Sequence, residues 1–144
     1  YGFMENPSIP DILKRCREKG LQFQLMGTSF FLGRETLIPT KKPGMAVWRA
    51  GLKALAERPQ VSIKISGLGI TDRAWTPDSI RPIVLTCIET FGTHRAMFAS
   101  DFPVERVHGT FDAFYSAFDA ITADFLADER DRLFAANAEA IYRI

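Results

Sequence analysis

Segments of helical period and of strand period alternate along this chain, and that alternation restricts it to folds built on a parallel sheet with crossover helices. Ile9, Ile12, Leu13 and Cys16 follow a Ser8-Ile9-Pro10-Asp11 helix start and share one face, with Gly20 as the expected stop. Leu21–Leu25 then alternates with period two and predicts a strand. Residues 27–44 hold Gly27, Gly33, Pro39, Pro43 and Gly44, show no convincing period and are expected to be loop. A helix is expected from Met45, with Trp48, Leu52, Leu55 and Ala56 inward, ending at Glu57-Arg58-Pro59 because the residue before proline avoids helical angles. Val61–Ser66 is the clearest strand: Val61, Ile63 and Ile65 share one face, and Ser62, Lys64 and Ser66 the other. A helix carrying Ile83, Val84, Cys87, Ile88 and Phe91 follows, with Pro82 expected in its first turn and residues 76–80 in a preceding turn. Arg95–Ser100 predicts a further strand. Helices are expected from Thr110, from Asp128 to Ala136, and from Asn137.

The chain has 144 residues, 47% hydrophobic and 24% charged, enough for one globular domain but short of a complete eight-fold βα barrel, which needs about 200 or more. Lys+Arg 18 against Asp+Glu 17, with both signs interspersed, argues against nucleic acid or an anionic membrane as partner. No apolar run approaches the length of a membrane span, and no export signal is visible. Cys16 and Cys87 fall at apolar helical positions, as expected of buried free thiols in a reducing cytoplasm.

In parallel α/β folds reactive groups collect at the C-terminal ends of the strands. Asp101 follows the Arg95–Ser100 strand directly. A carboxylate there either takes a proton from a water or caps the turn that Pro103 begins. Lys64 lies mid-strand, where it either neutralises Asp101 or an anionic substrate group, or reaches out to water. His108 and Trp75 fall in loops on the same face and are candidate substrate contacts, against the readings of a solvated histidine and a packing tryptophan. Ser66 is a further candidate, although no Ser-His-Asp arrangement can be argued. His94 precedes the last strand, on the opposite end of the sheet, and is expected to be structural.

Three stretches together resemble the amidohydrolase-related (amidohydrolase 2) family: Arg58-Pro59-Gln60-Val61-Ser62-Ile63-Lys64-Ile65-Ser66-Gly67-Leu68, Phe91-Gly92 through Arg95-Ala96-Met97-Phe98-Ala99-Ser100-Asp101-Phe102-Pro103, and Asn137-Ala138 through Ile141-Tyr142. The resemblance covers residues 45–144. It implies a (β/α)8 TIM barrel, with Val61–Ser66 and Arg95–Ser100 as seventh and eighth strands and Leu21–Leu25 as the fifth. It also implies that Asp101 is the catalytic acid/base, and a ligand where one divalent metal, zinc or similar, is bound, with Lys64 facing the same site. Known members are lactonases of the fuconolactonase and pyrone dicarboxylate type, other metal-dependent hydrolases and decarboxylases. The family's first-strand His-x-His is missing, as is a sixth strand with its histidine between Leu25 and Trp48.

The resulting expectation is a partial α/β barrel, a single domain fragment over residues 1–144. Its small-molecule substrate would be an acidic or sugar-derived lactone, or a related cyclic ester or amide, hydrolysed by Asp-assisted water attack. Decarboxylation and a catalytically inert fragment are the alternatives. Open sheet edges would favour a homo-oligomer.

Overall fold

The computed structural model describes residues 9–20, 23–26 and 45–144. The expected loop over 27–44, the Ser8 cap and residues 21–22 lie outside the described residues. Element order is α1 (Ile9–Glu18), β1 (Phe23–Met26), α2 (Met45–Ala56), β2 (Val61–Ile65), α3 (Leu68–Thr71), α4 (Pro77–Phe91), β3 (Ala96–Phe98), a 3₁₀ turn (Val104–Val107), α5 (Phe111–Ile121), α6 (Ala127–Asp131), a π turn (Arg132–Ala136) and α7 (Asn137–Tyr142).

The described strands form one parallel sheet in the order β1-β2-β3. Phe23 pairs with Val61 and Met26 with Lys64; Ile63 pairs with Ala96 and Ile65 with Phe98. β1 is therefore bonded directly to β2, and it stands in the place next to β2 that the resemblance assigns to a sixth strand. This is the partial barrel expected from the sequence: parallel strands with helices against one face.

That face holds the core. Val61, Ile63 and Ile65 are fully buried among Trp48, Leu52, Leu55, Ile80, Val84, Cys87 and Ile88. Each such side chain contributes roughly 1.5–3 kcal/mol by leaving water. On β3, Phe98 stacks on Phe118 with ring centroids 4.3 Å apart, joining α5 to the sheet. The other face of β2 differs. Ser62 and Lys64 are half-buried, because three strands do not close a barrel and leave this side of the sheet open. Burial on both faces, expected of a parallel sheet, is found on β3 but not on β2.

One helix start departs from expectation. α4 begins at Pro77 and runs through Pro82. A capping box decides this: Thr76 Oγ1 accepts the Ser79 amide at 3.2 Å and Ser79 Oγ accepts the Thr76 amide at 2.9 Å. Pro82 withholds the amide that the Asp78 carbonyl would accept, but both residues are exposed, so the carbonyl is not desolvated. The two helices expected after Asp128 are one helical run from Ala127 to Tyr142 with a π turn inside it.

The N-terminal end of the sheet is tied down by side chains. Arg95 donates to the carbonyls of Arg58 (2.9 Å), Val61 (3.2 Å) and Ala56 (2.9 Å) and lies over the Phe91 ring. Asn137 Nδ2 donates to the carbonyls of Thr93 (2.7 Å) and Ala96 (2.8 Å). Two of the motif residues that carried the family resemblance thus hold the fold rather than the site. His94 is on this same end, exposed, within 3.4 Å of Arg132 Nη1, as its position before β3 implied.

Candidate functional site

The site grows from the two loops that follow β2 and β3. The ladder between these strands ends with the Ala99 amide donating to the Ile65 carbonyl at 3.0 Å. Beyond it, β2 turns at Gly67, whose φ of 71° is the left-handed region where a side chain would be strained. β3 turns at Asp101, which adopts φ 54° although it is not a glycine. Left-handed backbone costs an L-residue of this kind about 1 kcal/mol or more, and such residues concentrate at functional sites. The Ser100 hydroxyl accepts the Phe102 amide at 3.2 Å and the Asp101 carbonyl accepts the Glu105 amide at 3.1 Å, so the turn is held on both sides. Asp101 is half-buried at the strand end.

Glu105 was not singled out from the sequence. It is fully buried, with Oε1 accepting the Gly69 amide at 3.0 Å across the two loops. Oε2 has no hydrogen-bond partner among the described residues. Burial pushes the Glu105 carboxyl above its ordinary value of 4.5; the Gly69 amide, His108 and the Ile70 amide pull it back, and Asp101 adds to the rise. The approach is close enough that a Cβ on Gly69 would lie 2.6 Å from Glu105 Oε2 and 2.6 Å from His108 Cβ. Only glycine leaves room for this contact. The signal available in sequence was the spacing Asp101, Glu105, His108, which a single turn folds onto one side.

Trp75 braces the same loops. Its ring stacks on Phe114 at 4.3 Å and its indole N–H donates to the His108 carbonyl at 2.9 Å. Those contacts satisfy the indole and give it a packing role between the loop after β2 and α5. His108 is half-buried, its amide donating to the Glu105 carbonyl at 2.8 Å. Asp101, Glu105 and His108 are thus brought together. Ser66 is buried at the end of β2. Lys64 pairs with Met97 across the sheet, on the open face, upstream of the Asp101 turn along β3.

For a divalent metal the donor set is too small. Among the described residues no three His, Cys, Asp or Glu side chains lie together in a way that could hold an ion. Asp101 by itself would be one ligand, and a resident metal needs about three or more from the protein.

The sequence and fold comparisons agree with this architecture. Residues 37–144 match the model of the Amidohydrolase (Amidohydro_2) family, and the chain belongs to that family. An amidohydrolase from Burkholderia multivorans, solved with bound zinc, superimposes with a TM-score of 0.73 at 28% identity, over 94% of this chain and 49% of its own. A protein from Pseudomonas putida assigned as a 2-pyrone-4,6-dicarboxylic acid hydrolase shares the fold, with a TM-score of 0.62 at 22% identity over 94% of this chain and 48% of its own. An uncharacterised protein of Sinorhizobium fredii, y4mH, is 48% identical over 97 residues, which are 67% of this chain and 33% of that protein. The chain therefore spans about half the length of these solved structures and a third of y4mH.

A second match is of another kind. Residues 1–66 match the model of the K+ potassium transporter C-terminal domain. A protein assigned to the potassium transport system of Myxococcus xanthus, Kup, is 84% identical over 58 residues, 40% of this chain but 9% of that protein. No helix among the described residues is long and apolar enough to cross a membrane.

Proposed function

We propose that this chain supplies the C-terminal half of an amidohydrolase-type hydrolytic site, with Asp101 as the residue that takes a proton from the attacking water. The observation that carries this reading is the conformation of Asp101: a half-buried carboxylate at the C-terminal end of a barrel strand, held in left-handed backbone by its own turn. Such a carboxylate orients a water and removes its proton as the water attacks a carbonyl, and it returns the proton to the leaving oxygen or nitrogen. The substrate class is a small acidic or sugar-derived lactone, or a related cyclic ester or amide. Lys64 on the open face and Ser66 at the strand end would bind its anionic and hydroxyl groups, with His108 at the rim. The pyrone hydrolase assignment of one structural neighbour supports the lactone over an amide, and decarboxylation within the same family is the neighbouring alternative.

The described residues offer no group of three ligands for a metal ion, so no step here is routed through one. That same shortage, together with the half-barrel span, favours a second reading in which the chain is inert alone. Two free thiols, Cys16 and Cys87, the latter with burial pushing it up to about 12, fit a reducing cytoplasm.

Hydrolysis of a panel of sugar lactones and pyrone dicarboxylates by the purified chain, beside Asp101→Asn and with and without added zinc or manganese, tests the reading. Turnover lost by about 10²- to 10⁴-fold in the variant is the expected result. A folded chain without turnover in any condition would leave the inert reading standing.

A further inference from the structure

Two family models divide this chain, one matching residues 1–66 and the other residues 37–144, and they overlap across α2 and β2. The buried core follows the second of them. Among the residues whose burial is described, the members of the hydrophobic cluster lie between Trp48 and Leu133. In α1 the described side chains Asp11, Lys14, Arg15, Arg17 and Glu18 are exposed and Cys16 is only half-buried.

We infer that the chain is a composite, in which a segment of the transporter C-terminal type, ending within the overlap of the two matches, is joined to an amidohydrolase half-barrel and docks on it through β1 as a substitute edge strand. Half of a barrel leaves the edge of β2 with unpaired amides and carbonyls, a surface that recruits any strand of matching length. The register shows which groups are covered. The Ile63 amide donates to the Arg95 carbonyl at 2.7 Å, so Ile63 faces β3, and the Ser62 and Lys64 amides face β1. Phe23–Met26, in parallel register with Val61–Lys64, satisfies that edge. On this inference the half-barrel is the folding unit, and the transporter-type segment is attached to it along the β2 edge. This inference is independent of the hydrolase reading, and its test requires no activity.

Native-state hydrogen exchange followed residue by residue on the full chain, with Leu25→Pro beside it, tests the inference. In the unmodified chain the amides of α1 and β1 are expected to exchange about tenfold or more faster than those of Ile63, Ile65 and α4. Leu25→Pro removes a ladder donor from β1. It is expected to release α1, β1 and the Ser62 and Lys64 amides, while Ile63, Ile65 and α4 change by less than about twofold. Loss of protection across α4 and β3 in Leu25→Pro would overturn the inference, because α1 and β1 would then belong to one cooperative domain. Unchanged Ser62 and Lys64 exchange would overturn the docking of β1.

Discussion

The two ends of β3 are built on opposite terms. At the N-terminal end, Arg95 and Asn137 together donate to the carbonyls of Ala56, Arg58, Val61, Thr93 and Ala96, and the buried Gln60 Nε2 beside them is left without a partner among the described residues. At the C-terminal end, Asp101 is held at positive φ and the buried Glu105 keeps one carboxylate oxygen without a partner among the described residues. One end is tied by side-chain donors, and the other carries the backbone strain and the buried carboxylate. Barrel folds divide labour in this way: residues at the bottom hold the strands, and the top keeps groups in costly states because chemistry needs them there.

Four substitutions would break or sharpen that contrast. Asp101→Gly has the largest effect. It should lower lactone turnover by about 10²- to 10⁴-fold while raising stability by up to about 1 kcal/mol, since glycine takes the left-handed turn without strain. Steady-state kinetics beside urea unfolding reads both, and a loss of stability would remove the strain from the comparison. Asn137→Ala should do the reverse. It strips donors from the Thr93 and Ala96 carbonyls, costs about 2–4 kcal/mol, and leaves turnover per folded molecule unchanged. Chemical denaturation measures the first and an active-fraction assay the second.

Gly69→Ala is predicted to cost about 1–3 kcal/mol, because its Cβ must push Glu105 and His108 away from 2.6 Å contacts. Unlike Asn137→Ala it should also lower turnover, since it moves the loop that carries Asp101. The smallest effect is that of Glu105→Gln, which keeps an acceptor for the Gly69 amide and removes the ionisation. Burial raises the Glu105 carboxyl in the folded chain. As pH rises through 4.5 the unfolded chain loses this proton first, so Glu105 lowers stability from there until the folded carboxyl ionises as well. In Glu105→Gln that decline should vanish from urea midpoints measured between pH 4 and neutrality. A variant that keeps the same slope would move the effect to another group.

Much of the fold was legible because it rests on local patterns. The 3.6-residue spacing of Trp48, Leu52 and Leu55 and the alternation from Val61 to Ile65 each foretold an element and its buried face. Asp101 was legible for a related reason: a strand followed by Ser-Asp-Phe-Pro sets a carboxylate at the functional end of a parallel sheet whatever its neighbours. Glu105 was not legible. Glutamate is mostly a surface residue, and only the approach of Gly69 from a different strand's loop turns this one inward. Trp75 read equally as wall or brace until Phe114 and the His108 carbonyl were seen to take both its ring and its N–H. Pro82 misled about the start of α4, since the cap that decides the start sits at Thr76 and Ser79.

By itself, then, the sequence determined the parallel α/β class, the inward faces of its helices and strands, and the strand end at which Asp101 stands. Those follow from periodicity and from the chirality of the chain, which act over a few residues at a time. Tertiary structure alone decided that β1 lies directly against β2, that Lys64 faces an open side of the sheet, and that Glu105 is buried between two loops. Each of these depends on which distant segments meet. Strand pairing across tens of residues and the desolvation of a carboxylate are set by such meetings, and no local pattern encodes them.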